Sequence, residues 1–283
     1  EGTYRPDDAY FGEGPRALEA NRSRYVERTF NETLGFDAEL APGSGFSVYA
    51  TVRDAHFAAD GNYSDDPSLA TEVAEGALTL PSGFGGYTSF AQGLTASFDT
   101  RKPRPASGSG VRLEAYGEHD LDLRDPVNGR WARWGGSFGG FVDLTGKNRV
   151  LSLSVATEFA DPLGSVDVPF DQLATLGGDG APMHGFYQGR LLDRSALAAT
   201  LEYRWPVWSF LDGSAQYAVG NVFGAHFSGF EPDLLRMAFS LGVRSTGSRD
   251  HSFNIMVGSG TETFKDGTTL NDFRFEFGAT KGF

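Results

Sequence analysis

The sequence predicts an all-β chain, a transmembrane antiparallel β-barrel of about twelve strands, and three observations predict it. Apolar residues recur at every second position in stretch after stretch, the period of a strand and not of a helix. The opposite phase of the same stretches carries Glu, Asp and Arg in tight register, which the dry core of a soluble sandwich or lipocalin-like barrel would not tolerate unpaired. No window of the 283 residues is apolar for long enough to cross a bilayer as a helix. A mean hydropathy of -0.30 ordinarily indicates a water-soluble chain, but a membrane barrel hides its apolar surface in alternate residues.

From the N-terminus, residues 1–29 are polar and stand apart as a short segment expected on the periplasmic side, with "PRALEANRSRY" offering a helical turn or two. Residues 30–283 make up the barrel. Its first strand is placed at 33–41, where Leu34, Phe36, Ala38 and Leu40 share a phase. Runs at 44–57, 69–80 and 86–100 follow, the one at 69–80 with two faces that differ little. At 110–123, Val111, Leu113, Ala115, Leu121 and Leu123 face away from Arg112, Glu114, Glu118, Asp120 and Asp122. A strand at 132–144 leads through the turn "TGKN" to one at 148–160, where Leu151, Leu153, Val155 and Phe159 oppose Ser152, Ser154, Ala156 and Glu158.

A long glycine-bearing stretch at 161–193 precedes the strand at 194–205, whose Leu197, Leu201 and Tyr203 oppose Glu202 and Arg204. Strands at 210–222 and 233–246 come next, the second alternating Leu235, Met237, Phe239, Leu241 and Val243 with Arg236, Ser240 and Arg244. The last two lie at 250–258 and 271–283, and the final one sets Phe273, Phe275 and Phe277 against Arg274 and Glu276. Each run is near the length a tilted strand needs to cross a bilayer. An even number of strands places both termini on one side and lets the first strand pair with the last, which removes an edge that lipid cannot satisfy.

Composition removes several classes of function. A net charge of -13 opposes nucleic-acid binding. The absence of cysteine rules out disulfides and thiolate metal sites. The five histidines (His56, His119, His184, His226 and His251) lack metal-ligand spacing. Gly135-Gly136-Ser137-Phe138-Gly139 matches G-x-S-x-G, but inside an alternating strand and not at a strand-to-helix turn. "DGNYSDD" at 60–66 offers Asp60, Asp65 and Asp66 to calcium, although solvated acidic loops are commoner. "PSGFGG" lacks the lysine and helix of a phosphate loop. No enzyme, cofactor or metal is expected.

Four stretches carry a resemblance. "LTASFDTRKPRPASGSGVRLEAYG" (94–117) is similar to a strand, an Asp-Thr-Arg turn and the next strand of one family. "LGGDGAPMHGFYQGRLLDRSALAATLEYRWPV" (176–207) resembles its hallmark extracellular loop and the strand after it. "YAVGNVF" (217–223) resembles the strand that receives the loop, and "SLGVRSTGSRDHSFNIMVG" (240–258) with "FRFEFGATKGF" resembles the closing strands. The family is the bacterial surface-antigen superfamily of outer-membrane assembly factors, the BamA/TamA-like barrels.

The resemblance implies that the loop folds into a polar lumen, with Met183, His184, Gly185 and Phe186 as its motif and Gln216, Ala218 and Gly220 on the receiving strand. It implies lumen charges at Glu202, Arg204 and Arg244, and a C-terminal β-signal at Phe277, Gly278 and Phe283. The chain departs from the family where the loop arginine is His184 and the receiving aspartate is Ala218. His184 is expected to bond Gln216, with Phe186 and Tyr187 packing the tip, and restoring Arg and Asp together is expected to tighten it. Residues 1–29 are too short for a periplasmic POTRA repeat. The implied function is a component of protein or lipid insertion or translocation at the bacterial outer membrane, working with outer-membrane lipid and with envelope proteins that supply periplasmic modules. The alternatives are a structural anchor or binding subunit of an outer-membrane complex, or a small passive pore.

Overall fold

The computed structural model describes residues 2–61, 65–102, 108–178, 182–245 and 253–278. In chain order the elements are β1 (Gly2–Tyr10), β2 (Ser23–Ala41), β3 (Ser44–Ala58), a short helix α1 (Leu69–Ala74), β4 (Tyr87–Asp99), β5 (Gly110–Asp122), β6 (Arg130–Asp143) and β7 (Val150–Pro162). They continue with β8 (Ala174–Leu176), β9 (Leu191–Asp193), β10 (Ser195–Trp208), β11 (Leu211–Phe223), β12 (Arg236–Ser245), β13 (Asn254–Thr261) and β14 (Leu270–Gly278). Twelve of these strands form one antiparallel sheet in which each pairs with its neighbours in sequence, while β8 and β9 make a separate two-stranded ribbon inside the β7–β10 connection. Among the described residues no helix is long and apolar enough to cross a membrane.

The twelve strands of the sheet are not the twelve predicted. Residues 2–10 were expected in a polar segment outside the sheet; they pair with β2 from Gly2↔Phe30 to Tyr10↔Ser23. The run "RPDD" reads as a turn, but a bulge between Arg5 and Asp8 absorbs it on an edge strand, where Pro6 has no ladder partner to satisfy. Conversely, the strand expected at 69–80 is a helix at its start. The Ser68 hydroxyl accepts from the Thr71 N–H at 3.2 Å and caps α1. Leu69 is buried and Val73 packs beside it, one helical turn apart.

The expected closure also differs. Among the described residues no ladder joins β1 to β14, so the sheet has two edges, and the strand placed first at 33–41 is the far half of β2. The C-terminal strand is described only to Gly278, and Phe283 lies outside the described residues.

Burial along the strands is inverted relative to a water-soluble sheet. Leu241 is 59% exposed and its neighbour Ser240 8%. Leu34, Phe36, Leu201, Phe239, Phe275 and Phe277 are exposed, whereas Glu202, Arg204, Arg236, Arg244 and Glu276 are buried. The apolar phase therefore points away from the protein and the ionised phase toward it. At the end of the sheet where the long connections lie, Phe170 gathers Tyr25, Phe57 and Phe84 with ring centroids 5.5, 4.8 and 5.9 Å away, mostly edge-on.

Candidate functional site

The connection from β7 to β10 lies on the ionised face of the sheet. Its first half is fixed over β3–β7. Phe170 enters the aromatic cluster, the Tyr87 hydroxyl donates to the Asp171 carboxylate at 2.6 Å, and Arg133 donates to the Gln172 amide oxygen at 3.1 Å. Arg133 also bonds Glu158 at 3.1 Å, and Arg53 bonds Glu118 at 3.0 Å, so the charges under this half are paired by their neighbours. Burial holds the Asp171 carboxyl above the usual carboxylate range, although the Tyr87 and Gln172 hydrogen bonds oppose it.

The second half carries the motif, and its seat is built from small side chains. Ladder register puts Ala218 opposite Ala238 and Ala238 opposite Gly260, with Ala198 opposite Gly220 one step along. A trough of alanine and glycine thus runs across β10–β13, and Met183 and Phe186 fill it, both buried with Ala196, Ala198, Ala218 and Ala238. Met183 adopts the left-handed conformation at φ 69°, a strained backbone for its side chain that turns the tip into the trough. Gly185 lies flat on β13: a β-carbon there would fall 2.3 Å from the Ser259 carbonyl.

His184 corrects the sequence-based expectation. Its Nδ1 is 2.9 Å from the Glu276 carboxylate on β14, not beside Gln216. Met183 and Phe186 occupy the space over Ala218, because apolar side chains fill an alanine trough without a desolvation cost, and this carries the His184 ring past β13. Gln216 instead donates to Glu202 at 3.3 Å and accepts from Ser240 at 3.3 Å. Glu202 also accepts from Arg244 at 3.1 Å and from Ser214 at 2.6 Å, while Arg204 is buried on the same face. Glu276 is bonded in addition by Asn254. The Tyr187 hydroxyl donates to the Phe273 carbonyl at 2.9 Å, a second bond to β14. Gly220 lies under the Met183 sulfur, and Phe277 points outward beside Gly278.

A charged cluster at the base of the loop is not apparent from the sequence. Arg190 and Arg236, both fully buried, donate to the same Ala17 carbonyl at 2.6 and 2.8 Å, and both face Glu262. Asn221 donates to the Pro15 carbonyl at 2.9 Å. The β1–β2 connection is therefore held at the same end of the sheet as the long loop. The β1–β2 connection is thus not on the side opposite that loop, where residues 1–29 were expected. The two arginines turn inward because Glu262 and the backbone carbonyls accept from their terminal nitrogens, donors that an apolar face could not leave bare. The remaining motif candidates have ordinary positions. Ser137 sits mid-strand in β6 between Glu114 and Ala156, with no helix after it. Asp66 is bonded by Arg24 at 2.6 Å and by Arg22 at 3.1 Å. Residues 62–64 of the acidic run lie outside the described residues.

A continuous antiparallel sheet with an ionised face, an apolar face and a long loop seated on the ionised one is a BamA-like fold. Two solved structures resemble it. BamA from Haemophilus ducreyi lacking POTRA domains 1-3 superposes with a TM-score of 0.57 at 14% identity, over 95% of this chain and 56% of that one. CdiB from Acinetobacter baumannii gives 0.51 at 10% identity, over 93% of this chain and 44% of that one. The chain spans about half the length of these structures. No family profile and no curated protein matches the sequence.

Proposed function

We propose that this chain is an outer-membrane barrel of the surface-antigen superfamily, a component of protein or lipid insertion or translocation at the outer membrane of a bacterial cell. The observation that carries the reading is the inverted sheet with a loop built into its charged face. A sheet that exposes Leu201, Phe239 and Leu241 and buries Glu202, Arg236 and Arg244 is stable with hydrocarbon outside. When such a sheet curls, its charged face becomes a lumen and the β7–β10 connection becomes an extracellular loop folded into it. The seated loop weighs against a passive pore, which needs an open channel. Outer-membrane lipid surrounds the barrel, and other envelope proteins supply the periplasmic modules. Nothing in this reading assigns a catalytic residue.

The test has two arms. Purification from native outer membranes in mild detergent identifies the partners that co-elute. Liposomes containing the purified chain should then accelerate insertion of a urea-unfolded outer-membrane β-barrel relative to empty liposomes. Stable co-purification without any acceleration would overturn insertion in favour of the anchor.

A further inference from the structure

Between the first half of the β7–β10 connection and strands β1 to β4 lies a cavity of about 200 Å³ on the charged face. A cavity of about 150 Å³ already takes a benzene ring when its lining is apolar. Here Asp8, Glu27 and Asp171 bring three carboxyl groups to the walls, against one cationic side chain, Arg53. Arg53 is already held by Glu118 at 3.0 Å and by Asp120. Asp8 accepts from Arg5 at 3.1 Å, and Glu27 meets Asp8 across the β1–β2 bulge, a contact between like groups. Among the described residues no salt bridge reaches Glu27 or Asp171. Asp171 also lacks a donor on one side. Its Oδ2 accepts from the Tyr87 hydroxyl at 2.6 Å and from Gln172 at 2.8 Å, but its Oδ1 is buried with no hydrogen-bond partner. Buried acceptors are rarely left bare.

The lining selects the kind of cation. Among the described residues no three carboxyl or imidazole groups come together closely enough to hold a metal ion. The rings of Tyr10, Tyr25, Tyr87 and Phe170 share the walls with the carboxyl groups. Aromatic faces attract an organic cation, and their apolar area covers its methylenes. We propose that this cavity binds a small organic cation of the alkyl diamine class, with one ammonium at Asp171 on the loop and the other at Asp8 and Glu27 on the strands. The first ammonium gives the Asp171 Oδ1 its donor. The second relieves the contact between Asp8 and Glu27, and both bonds are charge-assisted. The inference rests on the cavity and not on what the barrel inserts.

Isothermal calorimetry of the purified chain in detergent micelles tests the site with putrescine, against n-butanol and calcium chloride at matched ionic strength. Putrescine should bind saturably at one molecule per chain, and neither control should. Asp171→Asn, which keeps an acceptor for the Tyr87 hydroxyl, should weaken binding about tenfold or more, the loss of one bond to a charged group. Glu27→Gln should do the same. Gln188→Lys changes an exposed loop residue that lines the same cavity, and it supplies a tethered ammonium in place of the free one. It should abolish putrescine binding, and it keeps the test decisive if a carboxyl variant fails to fold. Unchanged affinity in Gln188→Lys overturns the site. So do heats that never saturate, equal binding of calcium, or full affinity in both Asp171→Asn and Glu27→Gln. None of these readouts uses insertion activity, so the proposed function can fail while the cavity's role stands.

Discussion

Phe186 lies on Gly260 so closely that a β-carbon at that glycine would meet three ring carbons at 2.6 to 2.8 Å. The loop tip is therefore positioned by an absent side chain on β13 as much as by any bond. Gly260→Ala should lift Phe186 out of the trough. The backbone of β13 is laddered on both sides and cannot yield, so the ring must. Overpacking of this kind costs about 1–3 kcal/mol. The cost should appear as a lower melting temperature in detergent and as new protease cleavage in the loop. Combining the change with Phe186→Leu should recover part of it, because the two sites touch and their effects are not additive. Equal stability of Gly260→Ala and the parent would mean that the ring is free to move.

The same trough reverses an expectation drawn from the departures in the loop motif. Ala218→Asp together with His184→Arg looks like restoration of an ion pair. Ala218 faces Met183 and Phe186, however, and His184 reaches Glu276 on another strand. Ala218→Asp should bury an unpaired carboxylate at about 3–5 kcal/mol, and His184→Arg should not rescue it. A double-mutant cycle should give a coupling near zero. A strongly favourable coupling would show that the tip can re-seat over β11.

The outer face makes a prediction about environment. Leu241→Arg should cost about 2–4 kcal/mol near the bilayer midplane. Ser240→Ala, one residue away on the charged face, should cost about 0.5–1.5 kcal/mol, since it loses one neutral hydrogen bond to Gln216. Folding titrations in lipid vesicles measure both. Equal costs would place lipid on neither side of β12.

Much of the sheet is legible in the sequence because an apolar face on one side and a charged face on the other force a phase that each strand repeats. β5, β10, β12 and β14 can be read in this way from Leu113, Leu201, Leu241 and Phe275. What is not legible has physical causes. β1 is hidden by Pro6, Asp7 and Asp8, whose turn character a bulge absorbs. The six residues of α1 are too few for a helical period to stand out. The trough is invisible because alanine and glycine carry no phase of their own. Ala218, Ala238 and Gly260 become one surface only when the ladders set their register. The bond from His184 to Glu276 joins residues 92 apart with no motif linking them. Two successive inward glycines, Gly258 and Gly260, were the available sign that something packs on β13.

The last prediction concerns pH at the other anchor of the loop. Burial, the largest influence, raises the Asp171 carboxyl above its ordinary value of 3.8, against the opposing hydrogen bonds from Tyr87 and Gln172. A carboxyl raised by folding contributes stability that is fully present below the unfolded value and lost as pH rises through the folded one. Asp66 works in the opposite sense. There too burial is the largest influence and raises the carboxyl, but the Arg24 and Arg22 guanidiniums together outweigh it and hold Asp66 below 3.8. Its contribution is present above that value and lost as pH falls through the folded one. The two windows lie on either side of the ordinary carboxylate range and can be separated. Asp171→Asn keeps an acceptor for the Tyr87 hydroxyl and removes the titration. It should reduce the fall in melting temperature as pH rises above the ordinary carboxylate value, and leave the acid limb unchanged. Asp66→Asn should do the reverse, reducing the loss of stability at the acid end. Melting curves of the two variants and the parent decide the matter, and an undiminished fall above the ordinary carboxylate value in Asp171→Asn would assign it to other buried groups.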